Sequence, residues 1–343
     1  MRIGAFDLDR AALLIAEVGV NHEGDFQKAR LLLRLAAEAG ADAVKFQAYY
    51  VSARRFVSPS ADPDRFERMQ RNELTIDQFR TLAQEANEAG VMFLCTCFDP
   101  QTVNDLNGVL PALKVASGDL TNDQLLRAIA DTKKPVILST GMSTLDEIAH
   151  ALTLLAGSAD IATLRDRVVL MQCTSSYPCP PEQVQLRAMD SLREAFGLRA
   201  GYSDHTLDLL ACQAAAAMGA CLIEKHFTDV KSGRTFRDHA LSAEPQEFRE
   251  LVGRVRLIEQ LRGAGGKTVQ PAESANRLPM RRSVGVARDV AAGTPLTEEL
   301  LIALRPASGW PVSDWSTLLG RTLVHSLQAG DLIAPSDLAA PKD

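Results

Sequence analysis

Residues 13–47 read LLIAEVGVNHEGDFQKARLLLRLAAEAGADAVKFQ, and the order of textures within them decides the fold. An apolar run, Leu13–Gly19, is interrupted by Glu17 and followed by the polar stretch Asn21-His22-Glu23-Gly24. An amphipathic segment, Phe26–Ala39, comes next and stops at Gly40, and a second apolar run, Ala43–Tyr49, begins soon after. Strand, loop, helix, glycine stop and strand in that order make a β–α–β unit. Outward from it the same alternation recurs, with apolar runs at Met92–Phe98, Leu113–Ser117, Pro135–Gly141, Val168–Cys173, Arg199–His205 and Cys221–Phe227. Helical patterns separate several of them, at Ile76–Ala89, Thr144–Leu155 and Leu207–Met218. Each run is short, continuous and rich in branched residues, as strands buried on both faces are. Eight such runs predict an α/β protein with a (β/α)8 TIM barrel over residues 1–261, in preference to an open doubly wound sheet.

The pattern breaks after Leu261. Residues 262–278 (RGAGGKTVQPAESANRL) are Gly-rich and then polar, and read as a linker. Residues 279–343 change to short β-like pieces with a faint internal repeat: Ala292-Gly293 is followed by Leu296 and Leu301, and Ala329-Gly330 by Ile333 and Leu338, at equal offsets. Two similar half-units predict a small pseudo-symmetric β-rich module.

Composition narrows the function. With 343 residues, 46% hydrophobic and 23% charged, the chain has the make-up of a folded globular protein and can bury a sizeable core. A formal charge of −6 argues against a nucleic-acid partner, which needs a basic face. No apolar run reaches the roughly 18 residues of a membrane span. The N-terminal MRIGAFDLDR lacks the basic-then-apolar order of a signal peptide. Of six cysteines, Cys95, Cys97, Cys173 and Cys221 sit inside apolar runs, which reads as reduced buried thiols and a cytoplasmic location.

In a barrel of this kind the chemistry sits where the strands end, so the polar residues that interrupt the runs there are the candidates. They are Glu17; Lys45 and Gln47; Thr96; Lys114, with Ser117 and Asp119 at alternate positions of the same strand; Thr174 to Tyr177, including Ser175; Ser203, Asp204 and His205; Glu224, Lys225 and His226; and Asp238 with His239 in the last loop. A lysine in an apolar strand is costly without an anionic partner. Lys45, Lys114 and Lys225 therefore point either to a bound phosphate and carboxylate or to internal pairs with Asp42 or Glu224. Alternation places Lys225 on the opposite face from Glu224 and His226. His205 and His226 end adjacent strands and read either as ligands of a divalent metal or as satisfied core histidines. The Gly-rich 263–266 follows a helix, not a strand, and is no phosphate loop.

Seven segments then occur in order on these strand ends: IAEVGVNHEG (15–24), AGADAVKFQ (39–47), LKVASGDLTN (113–122), PVILSTGMS (135–143), CTSSYPCP (173–180), GYSDHT (201–206) and IEKHFT (223–228). With them the chain resembles the sialic acid synthase family nearly end to end, and its tail from Arg281 to Leu338 resembles that family's antifreeze-like (SAF) domain. The resemblance implies a barrel plus SAF domain in a domain-swapped homodimer. It implies condensation of phosphoenolpyruvate with an open-chain N-acylated hexosamine, an aldose, with a divalent metal, Mn2+ above all and Mg2+ or Co2+ as alternatives. Carried over by position, it implies that Lys45, Thr96, Lys114, Ser117, Ser175 and Ser203 hold phosphoenolpyruvate and that His205 and His226 hold the metal. Gln47, Tyr177 and Asp238 would line the sugar site, Arg305 would reach in from the partner chain, and Glu17 or Asp119 would handle protons. A metal on the aldehyde oxygen would suit the weak enol nucleophile.

Three departures stand out: Ser175 replaces a common Asn, GRTFRDHALS (233–242) replaces a Gly-Pro-Asp-His form, and ASGWP (307–311) replaces a Gly-x-Gly form. The last two fall where the sugar is read. Arg234 and Arg237 are thus either readers of an anionic group or solvated loop charges. The rivals are a phosphoenolpyruvate synthase for a phosphorylated or non-acetylated aldose, a Schiff-base aldolase, and a non-catalytic sugar-binding relative.

Overall fold

The computed structural model describes residues 1–48 and 56–340. These form two compact units that divide between Gly263 and Ala264. In the first, the described residues build a closed parallel barrel of eight strands. In chain order they are β1 (Leu13–Gly19), β2 (Ala43–Ala48), β3 (Met92–Cys97), β4 (Leu113–Val115), β5 (Val136–Ser139), β6 (Val168–Gln172), β7 (Arg199–Asp204) and β8 (Leu222–His226). Closure comes from β8 pairing with β1, Glu224 opposite Ile15 and His226 opposite Glu17. Tyr49, the last residue of the expected second run, lies outside the described residues.

Local chemistry sets the helix starts. Asp25 accepts hydrogen bonds from the backbone N–H groups of Gln27 (2.8 Å) and Lys28 (3.2 Å) and so caps α1 (Phe26–Glu38). Thr75 with Gln78, and Thr144 with Glu147, form capping boxes at Ile76–Glu88 and Leu145–Ala156. Their apolar stripes and the outward faces of the strands share one core, which holds Leu32, Phe46, Phe79, Leu126 and Phe248.

The inward face of the barrel changes character along its axis. Leu13, Ile15, Ala43, Leu94, Ile137, Val169, Met171 and Leu222 fill its lower part with Met1, Ile3 and Leu8 of the N-terminal segment. Because side chains alternate along a strand, the same faces continue upward through Glu17, Lys45, Thr96, Ser203, Glu224 and His226. The barrel is therefore apolar below and charged above, and the charged layers lie at the C-terminal strand ends.

One local reading needs correction. Ser117, Gly118 and Asp119 form a 3-10 turn, closed by the Asp119 N–H donating to the Ala116 carbonyl at 3.0 Å, so strand alternation does not relate Ser117 to Asp119. In and just past the run 262–278, one-turn helices form at Pro271–Ser274 and Arg277–Met280.

The second unit has its own core of Val284, Val286, Val290, Leu296, Leu300, Leu301, Leu318, Leu323, Ile333 and Leu338. Its sheet joins β9 (Ser283–Val286) to β10 (Leu301–Leu304) and β11 (Trp310–Pro311), both antiparallel. The repeat seen in the sequence is physical. Gly293 (φ +83°) and Gly330 (φ +92°) make equivalent turns, and each is followed by a 3-10 turn, Glu298–Leu300 or Pro335–Asp337. Arg305 is exposed just beyond β10 in this unit. Among the described residues no helix is long and apolar enough to cross a membrane.

Candidate active site

The barrel mouth holds a buried cluster of two ammonium and two carboxylate groups. Lys45 on β2 sits 2.6 Å from Glu17 Oε2 on β1 and 3.7 Å from Glu224 Oε2 on β8. Lys114 on β4 sits 3.5 Å from Glu224 Oε1. Thr96 Oγ1 accepts from Lys45 Nζ (3.1 Å), Gln47 Nε2 donates to Glu17 Oε1 (2.7 Å), and the Ser203 hydroxyl donates to Glu224 Oε1 (3.0 Å). Burial pushes the Glu17 carboxyl up against the pull of Lys45. Burial also pushes Glu224 up, but the charges of Lys114 and Lys45 outweigh it and hold that carboxyl at about 2. Lys114 is lowered by burial, with Glu224 opposing, whereas Glu17 and Glu224 overcome burial at Lys45 and raise it. Of the two carboxylates offered as internal partners, Glu224 pairs with Lys45 and Lys114, while Asp42 pairs instead with Arg256 at 2.6 Å.

Lys225 leaves the ligand set. Its ammonium points to the opposite face and contacts Asp204 Oδ2 at 2.5 Å, with the Thr206 and Asp208 carbonyls accepting at 2.7 and 3.1 Å. Tyr202 donates to the other Asp204 oxygen at 2.7 Å. This buried pair lies in register between Ser203 and His205 on one strand and Glu224 and His226 on the next, and it ties the two together.

Beside the charge cluster lies a hydroxyl-lined hollow. The Gly141 N–H donates to Ser117 Oγ at 3.1 Å, and Ser117 Oγ and Cys173 Sγ lie 3.1 Å apart. A Cβ on Gly141 would come within 2.6 Å of Ser175 Oγ, 2.8 Å of Ser117 Oγ and 3.1 Å of Cys173 Sγ. Glycine is required there because the hollow between these groups has no room for a methyl.

His205 and His226 face each other with ring centroids 5.4 Å apart. His205 Nδ1 donates to the Thr174 carbonyl at 2.7 Å, which leaves its Nε2 with a lone pair, the usual preparation of a metal-ligating imidazole. His226 Nδ1 is buried with no hydrogen-bond partner among the described residues. Burial lowers both, His205 to about 4, so both rings are neutral at physiological pH. These donors fit a divalent cation that takes two imidazoles and fills its shell with water or substrate. Among the described residues no cluster of three or more His, Cys, Asp or Glu is disposed to hold one. His239 belongs elsewhere: its Nδ1 shares a 2.6 Å hydrogen bond with the Thr228 hydroxyl, and its Nε2 lies 3.1 Å from Glu23.

On the outer side, the Tyr177 and His205 ring centroids lie 4.2 Å apart, and the Arg237 guanidinium carbon stands over the Tyr177 ring, 4.6 Å from its centroid. Arg237 Nε donates to Asp238 Oδ1 at 3.0 Å. Arg234 is committed to Asp229 at 2.6 Å. Asp119 is 9% exposed, and burial raises its carboxyl to about 6 against a hydrogen bond from Asn122.

Of the residues singled out in the sequence, the structure brings Glu17, Lys45, Gln47, Thr96, Lys114 and Ser203 into one contact network around Glu224. It places Ser117 and Ser175 around Gly141, and His205, His226, Tyr177 and Asp238 around the ring stack. Arg305 lies in the second unit. Gly141 and the central position of Glu224 escaped sequence reasoning; the glycine within a strand-end motif was the available signal for the first.

Fold and mouth together define a class: a (β/α)8 barrel with a buried charge cluster beside a histidine pair at the C-terminal strand ends. The chain matches the NeuB family over residues 32–267 and the SAF domain over residues 281–339. It is 38% identical to the N,N'-diacetyllegionaminic acid synthase of Legionella pneumophila, covering 92% of each chain, and 36% identical to that of Campylobacter jejuni, covering 94% of this chain and 99% of the relative. Among solved structures it is similar to the N-acetylneuraminic acid (sialic acid) synthetase of Leptospira borgpetersenii, with a TM-score of 0.73 and 31% identity over 80% of this chain and 94% of that one. The chain belongs to the NeuB family, and it is a phosphoenolpyruvate-dependent synthase that forms a carbon–carbon bond.

Proposed function

We propose that this synthase condenses phosphoenolpyruvate with an open-chain N-acylated hexosamine to give a nonulosonic acid and phosphate, for surface polysaccharide biosynthesis. The observation that carries the proposal is the buried Glu17–Lys45–Glu224–Lys114 cluster beside the Ser117–Gly141–Ser175 hollow. Two cations at the mouth and a ring of hydroxyls suit a ligand bearing both a carboxylate and a phosphate. The names of the relatives, two of them synthases of a diacetylated nonulosonic acid, support an acylated acceptor.

In this reading Lys45, Thr96, Lys114 and Ser203 orient phosphoenolpyruvate, and the Ser117 and Ser175 hydroxyls, packed against Gly141, hydrogen-bond one of its anionic groups. Gln47 and Glu17, locked together, orient the acceptor so that its aldehyde carbon faces the enol C3, which is chiefly an entropic contribution. The new bond forms from C3 to that carbon as the enol double bond opens, which leaves an alkoxide on the former aldehyde and positive charge at C2. Water adds at C2 and its proton passes through Asp119 Oδ to the alkoxide; the C2 hydroxyl then gives its proton to phosphate as the C2–O bond breaks and the keto group forms. His205 and His226 would hold the divalent ion, Mn2+ with Mg2+ or Co2+ as alternatives; when bound it supplies Lewis-acid polarisation of the aldehyde. Tyr177 and Asp238 line the acceptor side. The proposal further takes the working form to be a cytoplasmic homodimer in which Arg305 serves the partner's site.

Phosphate release from phosphoenolpyruvate tests the reading, with Mn2+ and a panel of N-acetylmannosamine, its 6-phosphate, a diacetamido-trideoxyhexose and plain aldoses. Release with an N-acylated acceptor, abolished by chelator and by His226→Ala, is the expected result. Release with plain aldoses alone, or turnover indifferent to chelator, would overturn it.

Asp119 carries a second prediction. With its carboxyl near 6 and the ionised form acting as base, kcat/KM rises with pH through about 6, and Asp119→Asn loses both that limb and most activity. The sign for stability is opposite. A carboxyl raised in the folded state adds stability below its ordinary value of 3.8 and loses it as pH rises through about 6. A shift of that size corresponds to about 3 kcal/mol, so Asp119→Asn should unfold later than the parent at pH 7.5. Urea unfolding at pH 5 and 7.5 measures it; equal stability of the two proteins at pH 7.5 would contradict the assignment.

A further inference from the structure

We propose that Arg237 is the specificity-determining residue of this site, and that it reads a neutral acylamino carbonyl on the acceptor, remote from the aldehyde, in preference to a phosphate. The inference rests on the synthase reading above and adds the class of substituent.

Two contacts hold this guanidinium in place before any ligand arrives, and a third fixes the ring it stands on. Its Nε is tied to Asp238 at 3.0 Å, its centre stands 4.6 Å from the Tyr177 ring centroid, and that ring lies 4.2 Å from His205. Asp238 is itself buried, so the anchor is firm. Its carbonyl accepts from Ser242 Oγ at 2.6 Å, and Ser242 in turn accepts from Asn21 Nδ2 at 3.0 Å. The Arg237 side chain is nevertheless 67% exposed, and its two terminal nitrogens meet no acceptor among the described residues. A planar fork fixed at one edge and on one face, with its outer donors free, is preorganised to grip an oxygen. Arg234, the other arginine of the loop, has its charge consumed by Asp229 at 2.6 Å.

Charge decides which oxygen. Around this loop every described cation already has its own carboxylate: Lys28 with Glu23 (2.8 Å), Lys231 with Glu247 (2.6 Å), Arg234 with Asp229 (2.6 Å) and Arg237 with Asp238 (3.0 Å). A phosphate dianion placed on the Arg237 fork would face the Asp238 carboxylate directly behind it, and the repulsion would offset the new hydrogen bonds. A neutral carbonyl takes the same two donors without that cost.

The test compares the parent with Arg237→Ala and Arg237→Lys, using phosphoenolpyruvate, Mn2+, and two acceptors: a 2,4-diacetamido-2,4,6-trideoxyhexose and N-acetylmannosamine 6-phosphate. Loss of a charge-assisted hydrogen bond should raise KM for the diacetamido acceptor about tenfold or more in Arg237→Ala. kcat should change much less, and phosphoenolpyruvate affinity, read by calorimetry, should be retained. Arg237→Lys should not restore the KM, because a point charge lacks the fork. An unchanged KM in Arg237→Ala would overturn the inference. So would a parent preference for the 6-phosphate that the same variant abolishes, or an equal loss of phosphoenolpyruvate affinity, which would make Arg237 a prop of the mouth. A parent enzyme that binds phosphoenolpyruvate and turns over no acceptor would instead overturn the synthase reading, and this inference with it.

Discussion

Glu224→Gln is expected to destabilise the protein by about 3–5 kcal/mol, the usual cost of removing one partner from a buried ion pair. The site makes the reason specific. Glu224 lies within 3.7 Å of Lys45 and 3.5 Å of Lys114, and all three side chains are at most 5% exposed. Without it, Lys45 keeps Glu17, but Lys114 keeps no carboxylate within 4.0 Å among the described residues. Its charge is then buried against burial's own pressure to neutralise it. Ligand should reverse part of the loss. A dianion entering the mouth supplies the missing negative charge, so inorganic phosphate or phosphoenolpyruvate should raise the variant's melting temperature more than the parent's. The double variant Glu224→Gln/Lys114→Met removes both charges and should recover much of the stability while binding phosphoenolpyruvate poorly. Urea unfolding of the three proteins, with and without phosphate, reads all of this. A single variant as stable as the parent would show that Glu224 does not balance the two lysines.

Gly141→Ala carries the second large effect, this time on activity. A methyl at this position would sit 2.6 Å from Ser175 Oγ and 2.8 Å from Ser117 Oγ, so both hydroxyls must move to admit it. Displacing positioning groups by such amounts costs on the order of 100-fold, and kcat/KM for phosphoenolpyruvate should fall by about that factor. Overpacking of this kind costs stability by about 1–3 kcal/mol, so a cooperative melt should survive. Ser175→Ala in the same chain makes room for the methyl. If crowding is the cause, the double variant should be more active than Gly141→Ala alone. A Gly141→Ala enzyme with parental kcat/KM would remove the hollow from the anion site.

Much of this protein could be read without coordinates. The eight apolar runs became the eight barrel strands within a residue or two, because a strand buried on both faces has no choice but to be apolar. Lys45 and Lys114 were visible for the complementary reason: a cation inside such a run needs a partner. Alternation alone turned Lys225 away from the mouth, and the histidines at the ends of β7 and β8 fell side by side as adjacency requires. The turn Ser117–Asp119 was less legible, since a glycine between two polar residues continues a strand on paper and closes a 3-10 turn in space.

What the linear order could not decide was pairing. Whether Lys45 meets Glu17, Asp42 or Glu224 depends on β8 closing against β1, which brings residues some two hundred positions apart into register. The same holds for the hollow around Gly141, assembled from three different strand ends, and for the two arginines of the 233–242 loop, identical in charge and separated by their partners, Asp229 and Asp238. Apolar burial is a property each segment carries within itself, so the sequence determined the strands and the barrel. Electrostatic pairing is a property of distance between segments, and falls off so steeply with it that only the closed barrel could assign each charge its partner.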